Sequence, residues 1–232
     1  MTRFIGSRRS IIKNLAGYSG PGSIDFNAGP GSMNAGSLAV GLSAFSFEAW
    51  INIQSIAAAQ QVLFNGGSDA ALHCAFNNTG FSILQRSTAS PPYTTQATFT
   101  YTFNLNTWYH VVWARSGTGA GLAYGLVNGA LVSTGTSAAN FNNVTTGMNL
   151  GVNAGTGSGS VRAYATNIRL VVGSTAYSAG SYTVPTTSLT AITNSIFLFN
   201  VLSPSAVTTD TVGTYAWSVD TLPYNYRTPY IF

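Results

Sequence analysis

The side chains able to act as a general acid, base or nucleophile are few in this 232-residue sequence and lie far apart. Glu48 is the only glutamate, and the aspartates occur singly, at Asp25, Asp69, Asp210 and Asp220. A glycosidase needs two carboxyl groups about 5–5.5 Å apart to retain the anomeric configuration, or about 6.5–9.5 Å apart to invert it. No two acids lie two residues apart on a candidate strand. We therefore predict no glycosidase site, and a structural hydrogen bond for Glu48.

The two histidines and the single cysteine show no pattern of a nucleophilic site. His73 and His110 lie in candidate strands, and no G-x-S-x-G elbow accompanies them. Cys74 lies in the segment HCAF, where a small buried hydrophobe is its expected role. A lone cysteine provides neither a disulfide framework nor a thiolate metal cluster. The sequence therefore predicts a protein that is not an enzyme and carries no cofactor.

Sugar binding requires less: an aromatic ring on which a sugar can stack, and a few amide or hydroxyl groups. The candidates are Tyr93, Tyr124, Tyr182 and Trp217. The chain contains four Trp, 12 Tyr and 13 Phe, so core packing is the competing interpretation for each candidate.

Charge is scarce and concentrated near the N terminus. Only 6% of the residues are charged, against about 25% in an average domain. Arg3, Arg8, Arg9 and Lys13 supply four of the nine basic residues, which leaves five basic against five acidic residues elsewhere. Such a neutral body lacks the basic face of a nucleic-acid-binding domain. No run of about 20 apolar residues predicts a membrane helix.

The elements that must position these residues are strands. Apolar residues alternate over Phe45–Ile53 and Thr98–Phe103, the period of a half-buried strand. Asn128-Gly129 between two apolar runs predicts a hairpin, and residues 27–36 are expected to form a loop. Further strands are predicted at Ile24–Phe26, Val62–Asn65, His73–Phe76, Phe81–Gln85, Trp108–Arg115, Met148–Val152, Tyr164–Val172, Ile196–Val201 and Thr214–Val219.

Many short strands with glycine-rich turns predict an all-β protein, an antiparallel two-sheet β-sandwich. The chain divides into an extended, basic and apolar N-terminal arm (residues 1–20), the sandwich domain (residues 21–219) and an aromatic C-terminal tail (residues 220–232). One domain fits the length, since all-β domains often reach roughly 200–250 residues.

Three segments resemble strands of concanavalin A-like, laminin-G-like jelly rolls. They are FSFEAWI at 45–51, TWYHVVWAR at 107–115, and NIRLVVG at 167–173 followed by Ala176-Tyr177 and Pro185. The resemblance covers residues 22–218 and implies a jelly-roll fold. Members of this family often hold calcium through an aspartate and nearby carbonyls, and Asp69 is the only comparable loop acid here. Because calcium prefers about six to eight oxygen ligands, we predict no metal site and leave a weak calcium site near Asp69 as the alternative.

The third segment is similar to one found in phage virion proteins, which implies a structural function. We expect a capsid decoration or auxiliary shell protein, made in the host cytoplasm and located in the virion. Its expected partners are the major capsid or other virion proteins and further copies of itself, because a surface with little charge is tolerable where subunit contacts bury it. The predicted partner-binding residues are Arg3, Phe4, Arg8, Arg9, Ile11, Ile12, Lys13, Tyr230 and Phe232.

The alternative function is a carbohydrate-binding module of a phage tail fibre or adhesin that recognises host glycans. This scaffold hosts lectins, enzymes and structural modules alike, so the fold does not decide between the two functions. Under the alternative, the aromatic candidates above are the binding residues.

Deletion of residues 1–20 tests the virion role. If the arm attaches the protein to a shell, the truncated chain should fold but no longer bind particles, and attachment of the full chain should weaken with salt. Binding is measured by co-sedimentation with assembled particles. Particle binding at the full-length level after truncation would show that the arm does not attach the protein.

Overall fold

The computed structural model describes residues 22–27, 32–67, 70–86, 93–119, 121–142, 146–151, 161–201, 209–220 and 224–225. The regular structure of these ranges consists of fifteen strands. They are β1 (Ser23–Asp25), β2 (Ser32–Asn34), β3 (Phe45–Ser55), β4 (Gln61–Asn65), β5 (Leu72–Asn77), β6 (Gly80–Arg86), β7 (Tyr93–Thr100), β8 (Trp108–Ser116), β9 (Gly121–Val127), β10 (Ala130–Ser137), β11 (Asn149–Leu150), β12 (Arg162–Val172), β13 (Ser195–Phe199), β14 (Ser218–Asp220) and β15 (Tyr224–Asn225).

The strands form two antiparallel sheets, so the predicted all-β sandwich is confirmed. Sheet A has the order β10-β9-β8-β3-β12-β1-β15, with β13 also paired to β12. Sheet B has the order β14-β2-β11-β4-β5-β6-β7. The predicted arm, residues 1–20, lies outside the described residues.

The core lies between the sheets and is rich in aromatic rings. Trp113 of β8 is fully buried at its centre. Its ring centroid lies 5.4 Å from that of Phe47, 4.9 Å from that of Phe76 and 5.5 Å from that of Phe81. Each such ring buries about 150–250 Å², and aromatic contacts add to the free energy of area burial. This aromatic cluster joins sheet A to sheet B.

The predicted strands Thr98–Phe103 and Thr214–Val219 are strands only at Thr98–Thr100 and Ser218–Val219. Two segments predicted to lie outside the strands contain strands. Residues 27–36, expected to form a loop, contain β2, because the fully buried Met33 belongs to the core and β2 pairs with both β14 and β11. A strand of three residues is too short to show an alternating pattern. In the predicted tail, Tyr224 and Asn225 pair with β1, so this part of the tail belongs to sheet A.

The predicted hairpin joins β9 to β10 through Asn128 and Gly129. Both residues have positive φ, 48° and 86°, as a two-residue type I′ turn requires. Asn128 also accepts a hydrogen bond from the His110 backbone N–H through its Oδ1, at 2.8 Å. The turn is therefore fixed to β8 as well as to its own strands.

A bulge in β12 determines which side chains of that strand face outward. Thr166 pairs with Trp50 and Arg169 with Glu48, so two residues of β12 oppose one residue of β3. Asn167, in the bulge, has a φ of 50°. Strict alternation after the buried Ala163 and Ala165 would point Arg169 into the core. The bulge shifts the alternation by one residue and points it outward instead.

We expect the bulge to depend on the left-handed conformation of Asn167. Asn167→Val should lower the free energy of unfolding by about 2–4 kcal/mol, because a β-branched residue is strained at positive φ. Asn167→Gly should lower it by only about 1 kcal/mol, since glycine adopts this φ freely and the hydrogen bond from Asn167 Nδ2 to the Thr187 carbonyl is lost. Urea unfolding of both variants measures the difference, and equal losses would contradict this account.

Within the described ranges, no helix is long and apolar enough to cross a membrane.

Candidate functional site

The long connection between β12 and β13, residues 173–194, packs on the outer face of sheet A. Trp50 Nε1 donates a hydrogen bond to the Pro185 carbonyl at 3.2 Å. Arg169 Nη1 donates to the Thr190 carbonyl at 2.7 Å. These bonds anchor the connection to β3 and β12, so the connection covers the middle of the sheet.

Five polar side chains meet where this connection packs on sheet A, and we call them the Glu48 network. Three come from the sheet and two from the connection: Glu48, His110, Arg169, Tyr177 and Tyr182. Arg169 Nε donates to Glu48 Oε1 at 2.8 Å, and Arg169 Nη2 approaches the same oxygen. The Tyr177 hydroxyl donates to Glu48 Oε2 at 2.9 Å. His110 Nε2 lies 3.1 Å from Oε2, and its Nδ1 lies 2.6 Å from the Tyr182 hydroxyl.

The Glu48 carboxylate stays charged although it is buried. Burial alone would raise the pKa of Glu48, but the hydrogen bonds and charges of His110 and Arg169 outweigh burial and hold that pKa below its ordinary value. Burial, and next the Glu48 charge, raises the pKa of Tyr177, which therefore remains a hydrogen-bond donor. Because Glu48 has no exposed surface, the network stabilises the fold, which is the role predicted for Glu48.

The outer face of sheet B holds a cleft of about 420 Å³. We call it the amide cleft, and its lining residues are Asn34, Asn65, Gly67, Arg86, Thr146, Gly147 and Asn149. Its volume falls within the range of about 300–1,000 Å³ typical of ligand sites.

The three asparagines of the cleft come from three neighbouring strands and lie in register. Asn149 of β11 pairs with Asn34 of β2 on one side and with Asn65 of β4 on the other. The chain neighbours Met33 and Leu150 are buried in the core, so strand alternation turns the amides outward. The result is a row of side-chain amides across the sheet, in which Asn34 and Asn149 are partly exposed and Asn65 is buried beside them.

The walls of the cleft are fixed by hydrogen bonds and by close backbone contact. Asn65 Oδ1 accepts a hydrogen bond from the Gly67 N–H at 2.8 Å, and His73 Nε2 lies 3.0 Å from the Gly67 carbonyl. A Cβ at Gly147 would lie 2.3 Å from the Ala35 carbonyl oxygen, so only glycine fits there. The cleft is therefore preformed in the folded sheet.

His73 supports this wall as a neutral ring. Burial, opposed by the hydrogen bond to the Gly67 carbonyl and assisted by the Arg86 charge, lowers the pKa of His73 to about 4. Above that pH a neutral imidazole can donate from Nε2 to the Gly67 carbonyl.

The predicted sugar-binding residues are dispersed over the molecule. Tyr93 opposes Arg86 in register, and its ring centroid lies 5.2 Å from that of His73, so it lies beside the amide cleft. Trp217 packs its ring against Phe199, at a centroid distance of 5.0 Å.

The other two candidates lie on sheet A. Tyr182 is half-buried in the Glu48 network. Tyr124 is fully buried and donates its hydroxyl to the Tyr177 carbonyl. Since no part of its ring is accessible, the prediction that Tyr124 stacks on a sugar is wrong. Tyr124 is a packing residue, which was the competing interpretation.

The remaining predicted site residues lie outside the described residues, namely Arg3, Phe4, Arg8, Arg9, Ile11, Ile12, Lys13, Tyr230 and Phe232, together with Asp69. In the part of the chain that is described, no group of three or more His, Cys, Asp or Glu side chains could hold a metal ion.

The asparagines of the amide cleft were not among the predicted site residues. Asn34 lies in a segment expected to be a loop, and Asn149 in a strand of two residues. Sequence alone does not show that these residues are neighbours, because 115 positions separate Asn34 from Asn149. Only the sheet order brings them together.

A family model described as the concanavalin A-like lectin/glucanases superfamily, of laminin G type, matches residues 27–188. The chain belongs to this superfamily. The expected resemblance to laminin-G-like jelly rolls is thereby confirmed, whereas a phage virion context is not part of that match. A comparison with curated proteins gives no significant match.

Solved structures of low sequence identity share the superfamily fold. One is a protein from Bacteroides ovatus for which carbohydrate binding has been proposed, with 13% identity and a TM-score of 0.64 over 92% of this chain and 62% of that one. Another is the heptameric SAP-like pentraxin of Limulus polyphemus, with 14% identity and a TM-score of 0.52 over 90% of this chain and 97% of that one. The chain thus spans less than two thirds of the Bacteroides protein.

The buried neutral His73 predicts a pH-dependent stability. The unfolded chain binds a proton at His73 near pH 6.5 and the folded chain only near pH 4, so acidification across this window favours unfolding. The free energy of unfolding should fall by roughly 3 kcal/mol as the pH is lowered through it.

His73→Gln should remove this slope, because glutamine can donate to the Gly67 carbonyl but does not titrate. Denaturant unfolding of both proteins between pH 7.5 and pH 4 measures the slope. The same pH dependence in the variant would show that His73 is not its source.

Proposed function

We propose that this chain is a glycan-binding, lectin-like domain whose ligand occupies the amide cleft. The observation that carries the proposal is the in-register row of Asn34, Asn149 and Asn65 in a preformed cleft of about 420 Å³.

Side-chain amides match the chemistry of sugar hydroxyls. A side-chain amide has N–H donors and a carbonyl acceptor, and a sugar hydroxyl both donates and accepts, so the two groups can bond each other in either direction. Asn149 Nδ2 makes a local bond to the Gly147 carbonyl at 3.2 Å, which orients the amide and leaves its Oδ1 to accept a hydroxyl proton. Ligand sites use a small number of such fixed polar groups to orient their ligands.

The charge of the cleft favours an uncharged glycan. Arg86 is the single charged residue among its described lining residues, and the chain as a whole is 6% charged. A strongly anionic ligand would be expected to need a cluster of cations, as at phosphate sites. We therefore infer that the preferred ligand is built mainly of neutral sugars.

The superfamily contains both lectins and glucanases, and the local chemistry favours binding over hydrolysis. Hydrolysis by the usual mechanism needs two carboxyl groups at the sugar. Glu48 is buried in its network, and Asp25 and Asp210 accept hydrogen bonds from the backbone N–H groups of Asn27 and Val212, two residues further along the chain. The Bacteroides protein, for which carbohydrate binding has been proposed, supports the same choice. That the chain is not an enzyme remains a prediction.

The capsid decoration role also remains a prediction. It depends on residues of the arm and of the end of the tail, which lie outside the described residues. A glycan-binding domain is compatible with the tail-fibre or adhesin setting of the alternative, in which the glycan belongs to a host. Particle binding by the full chain, compared with glycan binding, separates these two functions.

A glycan array with the full chain and two asparagine variants tests the proposal. Asn149→Ala should weaken binding by about three- to tenfold, the loss expected for one or two hydrogen bonds to a ligand. Asn104→Ala is the matched control, because Asn104 is exposed and lies outside the cleft lining. Absence of any bound glycan, or equal losses in both variants, would contradict the proposal.

A further inference from the structure

Within the described residues, each sheet ends on one side in a long strand and on the other side in a very short one. The long edge strands are β10 of sheet A and β7 of sheet B, with eight residues each. The opposite edge strands, β15 and β14, contain two and three residues. A very short edge strand protects a sheet from pairing with another chain, because it offers few backbone groups. The side formed by β7 and β10 lacks this protection.

The two long edge strands pack on each other across the sandwich. A Cβ at Gly135 of β10 would lie 3.7 Å from the Cβ of Ala97 of β7. Each strand has one bulge, since Gln96 of β7 and Val132 of β10 have no partner in the strand register. Gly135 and Ala97 belong to the regular runs that follow the bulges. We call the exposed parts of these runs the open edge: Ala97–Thr100 and Ser133–Thr136.

The backbone groups of the open edge point away from both sheets at alternate residues. Phe99 has no exposed surface, and Ser137, which follows the open edge on β10, is 1% exposed, so both direct their backbone groups to the strand beside them. In an antiparallel pair, neighbouring residues direct theirs to opposite sides. The residues that face outward are therefore exposed threonines: Thr98, Thr100, Thr134 and Thr136.

The open edge carries none of the side chains that usually prevent strand pairing. Exposed edges in natural proteins are guarded by lysine, by other charged residues or by proline. The sequences of β7 and β10, YTTQATFT and ALVSTGTS, contain neither charged residues nor proline. In the described part of the chain, β7 pairs only with β6, and β10 only with β9. Both strands can therefore accept a further strand.

Apolar surface and low net charge also favour association at this side. Leu131 of β10 and Leu122 of the neighbouring β9 are 39% and 41% exposed, and Leu122 pairs with Thr136 in register. Burial of such side chains is favourable. Outside residues 1–20 the chain has five basic and five acidic residues, so net charge does little to keep two copies apart.

We propose that the open edge is the surface through which two copies of this chain associate. A two-fold axis perpendicular to the sheets pairs β10 of one copy with β10 of the other as antiparallel strands. The same rotation brings the two β7 strands opposite each other. A second copy fits because it carries both strands at the same spacing, whereas a single strand of another protein would pair with only one of them. Threonine pairs across such strands are favourable, and most dimers use the same surface on both subunits.

The size of the open side predicts a weak dimer. An eight-residue strand is about 26 Å long, and two sheets about 10 Å apart form a side about 20 Å thick with their side chains. The contact would bury about 1,000 Å² in total, at the lower end of specific interfaces, where transient complexes lie. The amide cleft is built on β2, β4 and β11 and stays uncovered. The axis leaves both clefts on one face of the dimer, which would raise avidity for a multivalent ligand.

Sedimentation velocity of the full chain, from low micromolar to several hundred micromolar concentrations, measures the dimer Kd. Thr134→Lys and Thr98→Lys each place a charge on the open edge, where it would lie near the same charge of the second copy. Each should raise the Kd about tenfold or more. Thr214→Lys is the matched control, because Thr214 is an exposed threonine between β13 and β14, and it should leave the Kd unchanged.

A nitroxide label on Thr134→Cys gives an independent measurement, since the native Cys74 is buried. Paired strands lie about 4.8 Å apart, so the two labels of a dimer should show dipolar broadening that disappears when labelled chain is diluted with unlabelled chain. Broadening together with dimers weakened by the edge lysines supports the proposal. Far-UV circular dichroism verifies the fold of each variant, and Thr98→Lys and the label decide the result if Thr134→Lys does not fold.

Three results would overturn the open edge as the association surface. One is a monomer at the highest concentration. Another is a dimer that neither edge lysine weakens more than Thr214→Lys does, including one that only deletion of residues 1–20 abolishes. The third is growth of open-ended oligomers, because a two-fold contact uses the open edge of both copies. No sugar takes part in these measurements, so their failure leaves the proposed glycan binding unaffected.

Discussion

The buried ion pair between Glu48 and Arg169 organises sheet A and its covering connection. An unpaired charge at either position would be costly, since removing one partner of a buried pair typically destabilises a protein by about 3–5 kcal/mol. Arg169 reaches Glu48 only because the Asn167 bulge turns it outward. The same guanidinium donates to the Thr190 carbonyl, so the pair also holds the connection 173–194 in place. Strand register, bulge and covering segment therefore depend on one another.

Arg115, the other buried arginine of this sheet, is satisfied in a different way. It donates to the carbonyls of Gly41, Ser43 and Ala139, and its guanidinium lies 4.9 Å from the ring centre of Phe141. Burial lowers the pKa of Arg115, but the carbonyls and the ring compensate for lost water. Within the described residues, two arginines and one carboxylate are thus buried together in sheet A. Carbonyl oxygens stand in for a second carboxylate in a chain that has only five acidic residues.

The sequence predicts the long strands well and the short ones poorly. Phe45–Ile53 and the Asn128-Gly129 turn show their structure locally, through period-two alternation and residues that tolerate positive φ. The three-residue β2 has no such period and exists because its neighbours pair with it. Glu48 was correctly expected to have a structural role, yet its partner Arg169 depends on a bulge that alternation does not predict. The amide cleft could not be predicted because its asparagines converge only through sheet order.

The outer faces of the two sheets differ in the side chains that they present. Sheet B presents amides in a cleft, with the one neighbouring aromatic candidate, Tyr93, at its side. On sheet A, the partly exposed rings of Trp108 and Tyr164 lie on either side of Asn52. The cleft has one charged residue in its described lining, Arg86, whereas Glu48 and Arg169 pair with each other inside the fold. The proposed glycan binding would therefore need few charged groups, because hydroxyls and amides supply the polarity.

The assembly of the amide cleft from β2, β4 and β11 has a thermodynamic consequence. The strands that supply Asn34 and Asn149 contain three and two residues, and short strands of this kind open more easily than the long central ones. A ligand that bridges the three amides joins them to β4, and it binds only the folded arrangement. Its binding free energy is then added to the stability of the domain, by RT ln(1 + [L]/Kd). Occupancy would thus slow hydrogen exchange at the very strands that build the cleft, so the molecule would become most rigid where it is weakest.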